Sequence, residues 1–223
     1  MTAIRAVLFD WGDTLFSPPD AAGVIVSAAA ERGARVDPAN ARKLWDELWE
    51  HGKTPEELAK GRDLSADAHR DVWTALFSGA DVIAPGLGRA LYERVMDPAA
   101  WIPYPDTAPT LRALRDRGRK VGVVSNVPRD LRPIFAAKGL ADLVDAFVHS
   151  FEVGAEKPDP AIFLRACEAL GTAPSETLMV GDHAIADGGA VAAGLRFYLL
   201  PANGTPDRPR GLDRVIALVD ASG

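Results

Sequence analysis

Five short runs in this chain are apolar almost from end to end instead of alternating with polar residues: 4–9, 120–124, 146–149, 177–181 and 196–200. A half-exposed strand alternates with the pleat. An unbroken apolar run of this length belongs instead to a strand covered by helices on both faces. The segments between the later runs carry helix boundaries. Asp106 can cap a helix bearing Leu111 and Leu114, with Gly118 just past its end, and Asp159-Pro160 opens another that Gly171 stops. Repeated strand–helix units predict an α/β fold built on a doubly wound parallel sheet.

Residues 18–100 break this pattern, with several helices and no convincing strand. Asp37-Pro38 opens a helix with Ala41, Leu44, Trp45, Leu48 and Trp49 on one stripe. Thr54-Pro55-Glu56-Glu57 is a capping box with proline at the first helical position, and Ser65 can cap a helix bearing Val72, Trp73 and Leu76. The expected organisation is an α/β core, 1–17 and 101–223, with an all-helical cap, 18–100, inserted after the first strand as a lid above its end. The cap tryptophans read as bundle core. His51, Lys53, Arg62 and Arg70 are its polar side chains that could face a ligand. Residues 201–211 read as a surface loop before a short last helix.

With 223 residues, 48% of them apolar, the chain can bury a core without covalent staples. Its formal net charge of −6 argues against nucleic-acid binding, which needs a basic face. The single cysteine, Cys167, excludes an internal disulfide framework and favours a reducing, cytoplasmic setting; it falls on an apolar helix stripe and reads as core. The first strand begins near residue 4, leaving no room for a signal peptide. No apolar run approaches the roughly 20 residues of a membrane span.

Two of the apolar runs end in a carboxylate: Asp10 closes the first and Asp182 follows the fourth. In an open parallel sheet both occupy the C-terminal strand edge, where α/β proteins assemble their sites. An aspartate there can attack an electrophile or hold a hard cation. Four features share that edge: Asp10–Thr14, Val124-Ser125-Asn126, Glu156-Lys157-Pro158-Asp159, and Gly181-Asp182 followed by Asp187.

In this order and at these positions the four resemble the haloacid dehalogenase-like hydrolase superfamily, over nearly the whole chain. The resemblance implies a Mg²⁺-dependent phosphatase acting on small phosphorylated metabolites. Asp10 then matches the nucleophile that becomes an aspartyl-phosphate. Ser125 matches the hydroxyl that binds the transferring group, with Asn126 beside it. Lys157 matches the cation balancing nucleophile and phosphate, a role suited to a compact ammonium. Asp182 matches the carboxylate that holds Mg²⁺ together with Asp10 and the carbonyl of Gly12, a small oxygen set that leaves the rest of the octahedron to water and phosphate.

Two positions depart from the pattern. The phosphatases carry a general acid two residues after the nucleophile; here that residue is Gly12, and the nearest carboxylate, Asp13, is one further on, so the acid/base is Asp13 or a metal-ordered water, or the leaving group needs little protonation. Many members place a second carboxylate four residues after the one matching Asp182; here that residue is Ala186, and Asp187 follows it. Asp187 is read as metal support or as a carboxylate at a helix start, and His183 as a solvated histidine. Other readings stay open. One is a 2-haloacid dehalogenase, whose halide leaves unprotonated. Another is a phosphonatase-like enzyme using a cap lysine, Lys53 or Lys60. The last is a non-catalytic phosphate-binding protein.

Overall fold

The computed structural model describes residues 2–200 and 206–223. They divide into two compact units: Met1–Ser17 with Ile102–Gly223, and Pro18–Trp101. The first contains a parallel sheet of β1 (Ala6–Phe9), β4 (Lys120–Ser125), β5 (Ala146–His149), β6 (Thr177–Gly181) and β7 (Arg196–Leu199), in the order β5-β4-β1-β6-β7. Its strands follow four of the five apolar runs to within a residue, and β1 starts two residues later than expected. A separate antiparallel pair, β2 (Phe16–Ser17) with β3 (Ile102–Pro103), joins the segments where the chain leaves this unit and returns to it. Strands of two residues are too short to show a period, so this pair leaves no signal in the sequence.

β1 is central, with β4 on one side and β6 on the other, all parallel. The strand order reverses around it, so the crevice beyond the C-terminal ends of β4, β1 and β6 is a topological switch point. Val7, Leu8 and Phe9 are all fully buried. Successive side chains point to opposite faces, so such burial requires cover on both, as the continuous run predicted. Gly122 on β4 lets that cover close in, since a Cβ there would lie 2.6 Å from Leu8 and 3.2 Å from Leu170.

The second unit is helical: α1 (Ala21–Ala30), α2 (Pro38–Gly52), α3 (Pro55–Leu58), α4 (Ala66–Phe77) and α5 (Leu87–Val95). Three caps form as the sequence indicates. Asp37 accepts from Ala39 N–H, Thr54 from Glu57 N–H and Ser65 from Ala68 N–H. The alanine-rich α1 was not expected; its high propensity lies in residues that give little contrast between faces. Trp45, Trp49 and Trp73 stack in sequence, with centroids 5.3 and 5.5 Å apart, as part of the bundle's core. Arg62 is buried too, its guanidinium 4.3 Å from the Trp73 ring centroid and donating to the Gly52 carbonyl.

The remaining helices return to the first unit: α6 (Thr107–Asp116), α7 (Arg132–Ala137), α8 (Ser150–Val153), α9 (Pro160–Leu170) and α10 (Asp213–Asp220). Through Ile162, Phe163, Ala166, Cys167 and Leu170, α9 buries its apolar stripe against Ala6, Leu8, Val124 and Met179. Cys167 is therefore core, as expected. Asp106 behaves differently from expectation: it makes no cap bond to α6. Its carboxylate instead accepts from the N–H groups of Arg210, Gly211 and Leu212, at 2.8, 2.8 and 2.9 Å, capping the entry to α10. No described helix is long and apolar enough to cross a membrane.

Candidate active site

Asp10 follows β1 directly, its N–H donating to the Val180 carbonyl of β6. That bond continues the β1–β6 ladder and fixes where the side chain emerges. Asp182 follows β6, and Ser125, buried, is the last residue of β4. The chain after Asp10 turns sharply. Asp13 takes φ +50° and its N–H returns to the Phe16 carbonyl at 2.8 Å. Thr14, fully buried, donates its hydroxyl to Asp182 at 3.2 Å, tying the first motif to the last.

Lys157 is the centre of the cluster. Its side chain is 3% exposed, and Nζ lies 2.7 Å from Asp10 Oδ1 and 2.6 Å from Asp187 Oδ1. The loop carrying it is held by Asn126. That amide accepts from Lys157 N–H at 2.7 Å and donates to the Lys157 carbonyl at 3.0 Å. Asn126 was expected beside a transferring group through its amide or its backbone; its side chain is engaged in positioning the lysine.

Asp187 is wholly buried, and both of its oxygens are engaged: Oδ1 by Lys157 and Oδ2 by His183 N–H at 2.9 Å. Two glycines make room for it. A Cβ on Gly181 would lie 2.1 Å from Asp187 Oδ2. One on Gly189 would lie 2.5 Å from the carbonyl of Pro158, next to Lys157. The small residues around Asp187 thus let its turn approach the lysine loop. His183 is half-buried rather than solvated, and its Nδ1 accepts from Ala186 N–H at 3.0 Å.

One carboxylate oxygen from each of Asp10, Asp182 and Asp187 falls within 4.8 Å of the others. Oxygens on an octahedron with bonds of about 2.1 Å lie roughly 3–4 Å apart, so carboxylates gathered this closely can hold a hard divalent cation, with Asp10 and Asp182 as the ligands because both Asp187 oxygens are engaged. The charge fits as well, because one ammonium leaves three carboxylates under-compensated. Burial, then repulsion from Asp10, Asp187 and Asp13, pushes the Asp182 carboxyl up to about 7. Asp10 is pushed up to about 6, chiefly by burial, with Lys157 opposing. Burial alone would lower the Lys157 ammonium, but the two carboxylates outweigh it and hold it above its ordinary range.

Asp13 is bonded to two residues from later in the chain. Its Oδ1 accepts from the Tyr104 hydroxyl at 2.5 Å, and its carbonyl from Arg210 Nε at 2.6 Å. Burial and the Asp13 hydrogen bond raise the Tyr104 phenol, keeping it the donor of that pair. Residues 206–209 are exposed, as expected of a surface loop, but Arg210 is buried; residues 201–205 lie outside the described residues. Tyr104 and Arg210 carry no local motif, and sequence reasoning missed both. Thr14 lay inside a recognised motif, but without a role.

The raised carboxylates give a pH dependence of definite sign. Asp10 and Asp182 bind their protons more tightly folded than unfolded, so stability falls as pH rises from their ordinary value of 3.8 through about 6 and 7. In EDTA, melting temperature should fall by roughly 5 °C between pH 5 and pH 8. A saturating divalent cation should raise it more at pH 8 than at pH 5, because ligands bind metal deprotonated. Differential scanning calorimetry checks both. A metal-free profile rising over this range would contradict the assignment.

Known proteins resemble the chain in both sequence and fold. Residues 4–194 match a family described as haloacid dehalogenase-like hydrolase. A protein of Mycobacterium tuberculosis named as a phosphatase is 39% identical over 124 residues, an alignment spanning 54% of this chain and 57% of that relative. The glyceraldehyde 3-phosphate phosphatase of Methanopyrus kandleri is 32% identical, over 81% of this chain and 76% of its own length. Among solved structures, a HAD phosphatase from Thermococcus onnurineus superposes with a TM-score of 0.62 at 27% identity, covering 97% of this chain and 98% of that one.

Proposed function

This chain belongs to the haloacid dehalogenase-like hydrolase family, and on that basis we propose that it is a Mg²⁺-dependent phosphatase of small phosphorylated metabolites, working through an aspartyl-phosphate. The observation that carries this reading is the buried Lys157 ammonium bonded to both Asp10 and Asp187, with Asp182 alongside, at the switch point of the sheet. Relatives named as phosphatases, one of them for glyceraldehyde 3-phosphate, support the substrate class.

Asp10 attacks phosphorus, and the bond from phosphorus to the leaving oxygen breaks. That oxygen keeps the electron pair and takes a proton from water. A second water then attacks the same phosphorus, releasing inorganic phosphate and restoring the Asp10 carboxylate. Lys157 offsets negative charge on the nucleophile and on the phosphoryl oxygens, while Asn126 and Asp187 hold it in position. The Ser125 hydroxyl binds a non-bridging oxygen. Mg²⁺, held by Asp10, Asp182 and the Gly12 carbonyl, would supply Lewis-acid neutralisation of the phosphoryl group. Asp187, with both oxygens engaged, supports Lys157 and the 183–187 turn from behind the ligands. Positioning and charge neutralisation are most of what phosphoryl transfer asks of a protein.

Position 12 has no side chain, and the Asp13 carboxylate is hydrogen-bonded to Tyr104. Leaving-group protonation is worth about 10²–10⁴-fold in rate. Aryl phosphates, which leave without it, should therefore exceed simple alkyl phosphates by about 10²-fold or more in kcat/KM. The test is a Mg²⁺-supplemented screen of phosphorylated metabolites and aryl phosphates, with Asp10→Asn as blank and EDTA as control. Phosphate release that EDTA removes and Mg²⁺ restores supports the reading. Halide release from 2-haloacids in EDTA, with every phosphate inert, would replace it with the dehalogenase reading. The cap lysines favour no Schiff-base route: Lys53 pairs with Glu50 at 2.8 Å and Lys60 with Glu57 at 2.6 Å.

A further inference from the structure

Three separate stretches of the first unit converge on the turn after Asp10. Asp13 is the one non-glycine with positive φ among the described residues, a left-handed conformation that costs most L-residues free energy and that Asp and Asn tolerate best. Tyr104 holds its carboxylate and Arg210 its carbonyl. The next residues are held from the same side: the Leu15 carbonyl accepts from Tyr104 N–H at 3.0 Å and from the Thr107 hydroxyl at 2.7 Å.

Arg210 is an unusual residue to bury. It is 6% exposed, its guanidinium carbon lies 5.8 Å from the Tyr104 ring centroid, and Nη2 has no hydrogen-bond partner among the described residues. A buried cation with an unsatisfied donor costs free energy. Its backbone is nevertheless fixed, through the bonds from Arg210, Gly211 and Leu212 to Asp106. The segment from 206 onward is thus anchored to deliver one charged donor to the peptide that follows Asp13.

Resting on the metal reading above, we infer that Tyr104 and Arg210 are positioning residues that clamp the Gly12–Asp13 turn, directing the Gly12 carbonyl to the divalent cation, with Asp13 as their anchor and not a proton donor. A carboxylate that accepts from a phenol, with an arginine nitrogen 3.8 Å from the same oxygen, is held as an acceptor.

The full-length protein tests this through Mg²⁺ affinity, read by calorimetric titration of metal-free samples, beside kcat and KM on an aryl phosphate. Tyr104→Phe and Arg210→Met should each weaken Mg²⁺ binding by about tenfold or more, the range for residues that orient a ligand. Arg210→Lys should recover part of that loss, since an ammonium can donate to the same carbonyl. Asp13→Asn keeps an acceptor oxygen and tolerates positive φ, so it should keep kcat within about threefold, whereas loss of a general acid costs about 10²-fold or more. Unchanged Mg²⁺ affinity in Tyr104→Phe and Arg210→Met would overturn the clamp, and Tyr104→Phe decides the matter if Arg210→Met fails to fold. A loss of about 10²-fold in kcat for Asp13→Asn, with affinity intact, would make Asp13 the acid instead. If the unaltered protein binds no Mg²⁺, the metal reading falls first, and the clamp's role with it.

Discussion

Asp10→Asn should reduce phosphate release by about 10⁴-fold or more while leaving the metal-free protein at least as stable as the parent. The amide is nearly isosteric and can still accept from Lys157, so the site keeps its shape. An amide cannot form the acyl-phosphate, and no route through the nucleophile survives its removal. Stability moves the other way because the Asp10 carboxyl is pushed up to about 6, chiefly by burial. At neutral pH the folded state bears the cost of its ionisation, and a neutral side chain removes that cost. Steady-state phosphate release and melting in EDTA at pH 7.5 check the two halves separately. Activity within about a hundredfold of the parent would remove Asp10 from the nucleophile's role.

Lys157→Met should be the most destabilising single change at the site. Asp187 is wholly buried and Asp10 nearly so, and the ammonium lies 2.6 and 2.7 Å from them. Removing one partner from a buried ion cluster costs about 3–5 kcal/mol, because the remaining charges lose their compensation. For a chain of this size that is roughly 10 °C in melting temperature. A solvated loop lysine would change stability by only about 0.5 kcal/mol. Catalysis should fall by about 10³-fold, the scale of removing a preorganised charge at the transferring group. The double variant Lys157→Met/Asp187→Asn separates the effects, since it relieves one stranded carboxylate. It should recover much of the melting temperature and none of the activity. Recovery of both would mean that Lys157 serves folding alone.

Most of the α/β architecture was legible because its signals are local. An apolar run four to six residues long declares a strand, fully covered in β1 and β6 but only partly in the edge strands β5 and β7, and Asp37, Thr54, Ser65 and Asp159 cap helices within three residues of themselves. Elements without such contrast escaped notice: the alanine-rich α1 and the two-residue β2–β3 pair. Among side chains the division is the same. Asp106 has the chemistry of a cap, but its partners lie about a hundred residues away. Asn126 stands where a substrate contact was expected, yet its amide serves the peptide of Lys157. Arg210 sat in a stretch of Pro, Gly and charge that any composition rule assigns to the surface.

The sequence alone determined which residues end strands, and hence that Asp10, Ser125 and Asp182 gather at one edge, because strand polarity and a parallel sheet leave a strand-end residue nowhere else to go; Lys157, in the loop before α9, was expected there only through the family resemblance. Only the tertiary structure decided what each side chain does there. Hydrogen-bond partners depend on distances of a few tenths of an ångström between segments far apart in the chain. No period or cap encodes that Asp187 reaches the lysine past two glycines, or that an arginine near the C-terminus grips the turn after the first strand.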